Sequence, residues 1–329
     1  MKQYNPTRLD RLIKRQQIIA VIRQDLYDKG FLEVETPILV KNTTPDAYID
    51  SINVGENYLI TSTEYQVKRL ISEGVKNVFT LSKNFRANDR GRFHSVEFTM
   101  LEWGRALATL QEIETDAVQL IQKAFSSLYP KQNSLNFNGC EIEFMNAPWD
   151  RLTVREAFKI YLNLDHLEDF SLQNLCSAAK TAGIDLPPDF KKDRSLAISF
   201  LLDLLQSHLG KKRPTFLCDW PKYLTSSAPI NQEDPFIAQR VELYIGGIEI
   251  GNGFPFLTDS DFQQKLFENE QHRRKEIGKA KVAFDNKYLE ALNDLPQGAG
   301  MAIGMDRLVM VLTEATRLSD VQAFDWDEL

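Results

Sequence analysis

Cysteine and histidine are scarce in this sequence. Its three cysteines, Cys140, Cys176 and Cys218, are far apart and odd in number, and its 4 histidines are equally dispersed. A disulfide framework needs paired cysteines, and a zinc site needs closely spaced cysteine or histidine ligands. The sequence therefore predicts neither a disulfide scaffold nor a histidine-bound metal.

Long apolar runs and an excess of positive charge are also missing. No stretch reaches the ~18 uninterrupted apolar residues of a membrane-spanning helix, and the first residues, MKQYNPTRLDRLIKRQQ, lack the apolar core of a secretion signal. The formal net charge of -7 argues against a domain that binds nucleic acid mainly through its phosphates. We therefore expect a cytoplasmic protein without a membrane partner.

What is present is the composition of an ordinary globular protein, with 43% hydrophobic and 26% charged residues. Apolar spacing over residues 8–29 predicts an amphipathic helix that stops at Gly30. Residues 57–103 alternate short apolar runs with turn signals, which favours strands. A second long helix is predicted over residues 107–129.

The second half of the chain changes character twice. Asn138-Gly139 is typical of a tight hairpin turn. The composition from about residue 150 to residue 210 predicts a helical insertion, and strand signals resume after it. Because long helices do not alternate regularly with strands, we predict an α+β fold in which an antiparallel or mixed sheet is flanked by helices.

A first chemical signal lies in residues 84–105, NFRANDRGRFHSVEFTMLEWGR. The pattern predicts a hairpin with Arg86 at the end of its first strand. Arginine has a planar fork of donors that matches phosphate oxygens, so an arginine held at a strand end suits an anionic ligand. The alternative is an exposed hairpin with surface salt bridges.

Two further segments suit a nucleotide. In GAGMAIGMDR, closely spaced glycines precede Arg307 at the start of a predicted helix, and they would let a ligand approach the backbone. Such glycines can also mark a bulge or tight packing. In VELYIGGIEIGNGF, a turn at Gly246-Gly247 would place Glu242 and Glu249 in one pocket, where paired carboxylates beside phosphates usually hold Mg²⁺. The alternative for both glutamates is an exposed surface. The sequence contains no GxxxxGK[ST] phosphate loop.

Four segments carry a resemblance to a known family. GFLEVETP, FRANDRGRFHSVEFTMLEW and GMAIGMDRLVMVL resemble the three signature motifs of class II aminoacyl-tRNA synthetases, and ELYIGGIEIGNGF is similar to their lysyl branch. The resemblance implies the class II catalytic core as one domain over residues 1–329, without an N-terminal anticodon-binding domain. This is the pattern of the truncated, lysyl-tRNA synthetase-like elongation factor P (R)-β-lysine ligases, which are poorly equipped to read a tRNA.

The resemblance implies an AMP-forming ligase that uses ATP and Mg²⁺. It would activate β-lysine or a lysine-like amino acid as an adenylate and transfer it to a lysine of elongation factor P. Arg86 would hold the α-phosphate and Arg307 the far end of the triphosphate, so that both are catalytic. The resemblance also implies that the nucleotide is contacted by Asn88, Ser95, Leu243 and Gly300. It implies that magnesium is bound by Glu242 and Glu249.

The resemblance also implies an amino-acid pocket made by Ser62, Glu64, Glu102, Gly104, Glu249 and Asn252. Ser62 and Glu64 would receive the amino group of the substrate, and Glu102 would pair with the side-chain ammonium. Gly104 and Phe256 stand where the family has a tyrosine and a glutamate. Because Gly104 has no side chain, we expect the pocket wall near Glu102 to be more open than in the family.

Two other functions remain open from the sequence. One is a minimal lysyl-type synthetase that activates a different amino acid or charges a tRNA. The other is a non-catalytic, synthetase-like regulatory subunit. The resemblance further implies a homodimer that forms through the first predicted helix and the FLEVETP strand.

Overall fold

The structure is a computed structural model that describes residues 6–329. The chain forms two compact units. Unit 1 consists of the chain up to Gln132 together with Pro255–Leu329, and unit 2 consists of Asn133–Phe254. Within residues 6–329, no helix combines the length and the apolar character needed to cross a bilayer.

The elements are numbered in chain order. The α-helices are α1 (Pro6–Asp28), α2 (Glu64–Ser72), α3 (Leu110–Leu128), α4 (Val154–Leu162), α5 (Leu172–Thr181), α6 (Arg194–Gln206), α7 (Ser260–Glu276), α8 (Asn286–Ala291) and α9 (Met305–Leu312). The strands are β1 (Leu32–Glu33), β2 (Leu39–Val40), β3 (Asn53–Val54), β4 (Asn57–Leu59), β5 (Asn77–Phe85), β6 (Glu97–Ala106), β7 (Ser134–Phe137), β8 (Cys140–Glu143), β9 (Asp150–Thr153), β10 (Thr215–Pro221), β11 (Ile237–Ile245), β12 (Ile248–Pro255) and β13 (Gly298–Gly304).

Unit 1 is built on strands in the order β1-β5-β6-β13. The β5–β6 and β6–β13 pairs are antiparallel, and the short β1 pairs in parallel with β5. The long central hairpin confirms the prediction from residues 84–105. A small sheet in the order β2-β4-β3 completes the strands of this unit in the described chain.

The first predicted helix is confirmed as α1, which packs against α3. Ile18, Ile22 and Leu26 of α1 are buried, so that the apolar spacing seen in the sequence becomes a packed face. The start of α3 is set by a capping box in which Thr109 and Glu112 satisfy each other's backbone N–H groups.

Unit 2 has strands in the order β12-β11-β10-β9, in which only β10–β9 is parallel among the described pairs. The β7–β8 hairpin turns at Asn138 and Gly139, both with positive φ, as the sequence predicts. The segment predicted to be helical contains β9 followed by α4, α5 and α6, whose buried side chains share one apolar cluster. Helices and mainly antiparallel strands confirm the α+β prediction. The extent of a single catalytic domain remains a prediction.

Candidate active site

The central strand of unit 1, β6, carries two of the predicted pocket residues. Glu102 lies opposite Ala302 of β13, and Gly104 lies opposite Gly300. Residues two apart on a strand share a face. Glu102 and Gly104 therefore face one side of the sheet, and the fully buried Trp103 faces the other.

Glu102 is a buried carboxylate held by neutral donors. Its Oε2 accepts hydrogen bonds from the Ser62 hydroxyl at 2.9 Å, the Thr63 backbone N–H at 3.1 Å and the Thr63 hydroxyl at 2.9 Å. Burial and the neighbouring charge of Glu64 raise the pKa of Glu102 to about 7, although these hydrogen bonds oppose the shift. Within residues 6–329 no cation pairs with it, so this carboxylate suits an ammonium ligand.

Lys68 of α2 is a buried lysine that the sequence analysis missed. Its Nζ donates a hydrogen bond to Glu64 Oε1 at 2.7 Å, and its side chain is only 3% exposed. The rings of Phe256 and Tyr288 have their centroids 5.9 Å from the same nitrogen. The glutamate–lysine spacing of four residues on a helix is a signal that could have revealed the pair.

The pocket wall at Gly104 is closed, which contradicts the expectation of a more open one. A Cβ placed on Gly104 would lie 2.8 Å from Ile71 Cδ1, 3.1 Å from Val67 Cγ1 and 3.2 Å from Phe256 Cζ. All three side chains are buried. The bare backbone at Gly104 has allowed apolar groups to pack onto the sheet, so the missing side chain adds no space.

The Phe256 ring also covers two glycines of β13. A Cβ on Gly298 would lie 2.7 Å from Phe256 Cε2, and a Cβ on Gly300 would lie 3.3 Å from Phe256 Cε1. The backbone N–H of Phe256 donates to Gly298 O at 2.7 Å, which fixes the ring over this surface. The resemblance implies that Gly300 contacts the nucleotide. Because Trp103 O and the Phe256 ring occupy the side on which a Gly300 side chain would project, such a contact would use another face of its backbone. We call Gly104, Gly298 and Gly300 the glycine platform.

The packing at Gly104 leads to a stability prediction. Gly104→Ala is expected to lower the free energy of unfolding by about 1–3 kcal/mol, because a methyl group inserted into this packed niche must displace its neighbours. The matched control is Gly91→Ala, where the nearest atom to a new Cβ is 3.9 Å away. Chemical denaturation of both variants measures the effect. Equal stabilities would show that the niche has room.

Arg86 follows β5 directly and has a buried donor without a partner. Its guanidinium lies 5.2 Å from the centroid of the Phe98 ring, and its backbone N–H donates to Val96 O at 3.0 Å. Arg86 Nε is buried and makes no hydrogen bond with any part of the chain from residue 6 to residue 329. Because an unsatisfied buried donor is costly, this nitrogen fits an anionic ligand such as a phosphate oxygen.

Arg307, in the first turn of α9, contacts the loop that follows Arg86. Its Nε donates to Phe93 O at 3.1 Å, and its Nη2 lies 2.7 Å from His94 Nε2. Asn88, in the same loop, has a left-handed backbone with a φ of 64°. The fold thus brings Arg307 to the loop that the sequence assigns to ATP.

A cavity of about 500 Å³ lies beside this loop. Its walls include Arg90, Arg92, His94 and Ser95 from the loop, and residues between Thr316 and Asp327 from the C-terminal segment. Ser95 is the predicted ATP residue that lines this cavity. Arg86, Asn88 and Arg307 lie outside its lining.

Asp306 is a second buried charge that the sequence analysis missed. Its Oδ1 pairs with Arg15 Nη1 at 2.6 Å, and its Oδ2 accepts the backbone N–H of Thr99 at 2.6 Å. These contacts join α9 to α1 and β6. Asp306 therefore positions the helix that carries Arg307.

In unit 2, the predicted turn at Gly246-Gly247 is present, and both glycines have positive φ. Glu242 lies opposite Asn252, and Tyr244 lies opposite Glu249. Facing residues of paired strands project to one side of a sheet, so Glu242, Tyr244, Glu249 and Asn252 share a face. The intervening Leu243 projects to the other side and is fully buried.

Two side chains of the same strand, Arg240 and Tyr244, hold the Glu242 carboxylate. Its Oε1 accepts a hydrogen bond from Arg240 Nη2 at 2.5 Å, and its Oε2 accepts one from the Tyr244 hydroxyl at 2.6 Å. Arg240 Nε also donates to Asn252 Oδ1 at 2.8 Å. Burial, followed by the negative charges of Glu242 and Glu249, raises the pKa of Tyr244 well above its usual range.

Glu242 and Glu249 share one face of the sheet, as a common magnesium ion would require. Across residues 6–329, no group of three or more His, Cys, Asp or Glu side chains is arranged to hold a metal alone. Mg²⁺, however, commonly binds one or two carboxylates together with waters and substrate phosphates. A carboxylate keeps lone pairs beyond those used by Arg240 and Tyr244. Glu242 and Glu249 therefore suit a magnesium ion that arrives with a nucleotide.

Comparison with known proteins identifies similar sequences over nearly the whole chain. The family described as tRNA synthetases class II (D, K and N) matches residues 1–327. The chain is 35% identical over 328 residues to a protein of Salmonella arizonae named elongation factor P–(R)-β-lysine ligase, which covers 96% of this chain and 95% of that protein. Proteins of the same name from Salmonella paratyphi B and Salmonella heidelberg are each 36% identical over 330 residues, with the same coverage.

Proposed function

This chain belongs to the family of class II tRNA synthetases (D, K and N), and we propose that it activates an amino acid with ATP and transfers it to a lysine of elongation factor P. It is an ATP-dependent ligase, as its family and its ligase relatives establish. Elongation factor P is the proposed acceptor, since it stands in the names of relatives whose length this chain covers to 95%. The resemblance of the sequence motifs to this ligase family is confirmed.

The observation that carries the proposal is that one hairpin holds two buried groups suited to ligands of opposite charge. Glu102 of β6 is a buried carboxylate without a cation, and Arg86 at the end of β5 has a buried donor without an acceptor. An ammonium and a phosphate would satisfy these two groups. A substrate amino group and ATP supply both.

The proposed reaction has two steps. In the first, a carboxylate oxygen of the amino acid attacks the α-phosphorus of ATP, and the bond to the β-phosphate breaks with release of pyrophosphate. In the second, the ε-amine of the acceptor lysine attacks the acyl carbonyl, AMP leaves, and the amine loses a proton. No protein nucleophile is needed, so catalysis depends on positioning and on stabilisation of charge.

The chain's residues have distinct proposed roles. Arg86 Nε would donate to the α-phosphate as negative charge builds up there. Arg307 would bind the far end of the triphosphate, and Asn88, Ser95, Leu243 and Gly300 would contact the nucleotide. Glu242 and Glu249 would hold Mg²⁺, which when bound neutralises phosphate charge. Ser62, Glu64 and Glu102 would bind the amino acid, with Gly104 as part of the pocket wall. Asn252 of unit 2 is a further position that the resemblance implies for substrate binding.

Support for the acyl group comes from two sources. The relatives' name specifies (R)-β-lysine, and Glu102 is retained as a buried partner for an ammonium group. The positions implied for two further ammonium contacts are Gly104 and Phe256, and neither has a polar side chain. Of the three positions implied for contacts with the side-chain ammonium, Glu102 therefore carries the one side chain that can pair with it.

Amino-acid-dependent exchange of pyrophosphate into ATP tests the first step. The protein is assayed with α-lysine, both β-lysine enantiomers and the twenty common amino acids, and purified elongation factor P is then analysed for an acyl mass increase. Exchange with no amino acid would overturn the proposal. Charging of total tRNA in place of elongation factor P would favour a minimal synthetase, and failure of ATP and Mg²⁺ to bind in calorimetry would favour a regulatory subunit.

We also propose that the protein is a homodimer formed through α1. Leu9 and Ile13 of this helix are 44% and 54% exposed, and Leu32 of the adjacent β1 is 53% exposed. Exposed apolar side chains along a helix and on the strand that follows it suit an interaction surface. Analytical ultracentrifugation at micromolar concentration is expected to give twice the 37.8 kDa chain mass. Ile13→Asp is expected to shift the protein to monomer, and a wild-type monomer would contradict the proposal.

A further inference from the structure

The proposed amino-acid pocket of unit 1 contains more acidic side chains than basic ones. Within unit 1, Glu64, Glu102 and Lys68 provide two carboxylates and one ammonium, and Glu249 of unit 2 is assigned to the magnesium in the proposed function. The ammonium of Lys68 is already bound to Glu64 at 2.7 Å. When Glu102 is ionised, its negative charge is the one that no side chain of the described chain balances.

The neighbouring charged groups do not change this balance, because they are paired elsewhere. Arg69 of α2 lies 3.9 Å from Asp285, and Arg105 of β6 lies 3.0 Å from Asp116. The donors that reach Glu102 itself are the uncharged Ser62 and Thr63. A ligand that brings one positive charge to Glu102 would therefore neutralise the group.

The far side of this pocket is apolar and closed. Phe256 is seated on the glycine platform, and Val67 and Ile71 fill the space above Gly104. The Phe256 ring cannot move toward the sheet, because the backbone of β6 and β13 lies directly beneath it, and its own N–H is bound to Gly298 O. A second ammonium directed at this wall would meet an aromatic ring and two aliphatic side chains.

From this charge count and this wall, we propose that the substrate is an amino acid with a single ammonium group and a compact, uncharged side chain. Glu102 binds the ammonium group, and the Phe256 ring limits the length of the side chain. This inference depends on the proposed function and specifies its substrate class, in place of the diamino acids suggested by the family.

The physical reason is the cost of an unpaired buried charge. A diamino acid such as lysine brings two positive charges to a pocket in which one carboxylate is unmatched. The second ammonium would lose its water without gaining a carboxylate, and such a loss is expensive in a buried site. A site with this arrangement therefore rejects a substrate by its extra charge as well as by its length.

Pyrophosphate exchange with matched pairs of amino acids tests the inference. Each pair differs only in the second amino group: 2-aminobutyrate and 2,4-diaminobutyrate, norleucine and lysine, and 3-aminohexanoate and β-lysine. The monoamino member of each active pair is expected to have at least about 100-fold higher kcat/KM, and the shortest pair is expected to be the most active.

Phe256→Glu provides a second test, since it places a carboxylate on the apolar wall. This variant is expected to gain at least about tenfold in kcat/KM for lysine relative to norleucine. The control is Phe324→Glu, the same change at a side chain that is 64% exposed, and it should leave the ratio unchanged. The wild-type comparison decides the inference even where Phe256→Glu does not fold.

The outcomes separate the inference from the proposed function. Preference for monoamino acids supports both. Exchange that is equal or better with lysine or β-lysine overturns the inference and leaves the ligase function intact. Exchange with no member of any pair, and with none of the common amino acids, overturns the ligase function and the inference with it.

Discussion

Glu102→Gln is expected to lower kcat/KM for amino-acid-dependent pyrophosphate exchange by at least about 100-fold, because it removes the charge that binds the substrate ammonium while its neutral side chain keeps a similar shape. The loss should appear mainly with the amino acid, since ATP contacts other side chains in the proposed site. Exchange kinetics at varied amino-acid concentration measure the effect, and calorimetry with ATP and Mg²⁺ should give an unchanged dissociation constant.

The matched control for this variant is Glu97→Gln on the same strand. Glu97 pairs with Lys83 at the surface, where both side chains are about half exposed (46% and 50%). Exposed pairs contribute little to stability, so the control should keep its activity and its fold. Full activity in Glu102→Gln would show that this carboxylate does not bind substrate, and it would remove the main support for the proposed function.

The stability of Glu102→Gln is also expected to depend on pH differently from that of the wild type. The pKa of Glu102 is raised from 4.5 to about 7 in the folded protein. Between these two values the folded state binds more protons than the unfolded state, so the free energy of unfolding of the wild type falls as pH rises through this window. Glu102→Gln lacks this loss and is expected to be more stable than the wild type at pH 8 by about 1–3 kcal/mol.

Urea denaturation at pH 5 and pH 8 measures this difference. Near pH 5 Glu102 is largely protonated in the folded state, so the two proteins should differ least there. A stability difference that is the same at both pH values would indicate that Glu102 is not the group that titrates. An inactive variant that is more stable at pH 8 would place Glu102 among residues that are kept for binding at a cost to folding.

Arg86→Lys is expected to lower the exchange rate by about 100- to 1,000-fold, which is the usual cost of removing one donor from a developing negative charge. Lysine keeps the positive charge but lacks the planar fork and the Nε–H that Arg86 presents in a buried position. The loss should appear in kcat and in the calorimetric affinity for ATP. The amino-acid dependence should change little.

Arg151→Lys serves as the control, because Arg151 is an exposed arginine of strand β9. This variant should exchange pyrophosphate at the wild-type rate. If Arg86→Lys also retains the wild-type rate, Arg86 Nε does not donate a hydrogen bond to a phosphate. The ATP site must then lie elsewhere on the chain. Thermal unfolding of both variants separates a loss of chemistry from a loss of folded protein.

Local signals in the sequence were sufficient for the elements that bear the candidate site. The hairpin of β5 and β6 follows from alternation around a polar loop, and the turn at Gly246-Gly247 follows from two adjacent glycines that accept positive φ. Both patterns involve residues close together in the chain. For the same reason the positions of Arg86 at a strand end and of Glu102 on a returning strand were predictable.

Contacts between distant segments were not predictable in this way. Phe256 reaches the glycine platform across about 150 positions of sequence from Gly104. Asp306 meets Arg15 from the other end of the chain. No spacing rule relates such pairs, because their approach depends on how helices and strands pack after each has formed.

The sequence by itself determined that this protein is an α+β ligase of the class II synthetase family, because its motifs are local patterns whose chemistry depends on residue type and spacing. Only the tertiary structure decided the form of the amino-acid pocket. Gly104 suggested an open wall when it was considered as a missing side chain. Folding closes that wall with Phe256, Val67 and Ile71, because an apolar ring gains more from packing on bare backbone than from contact with water.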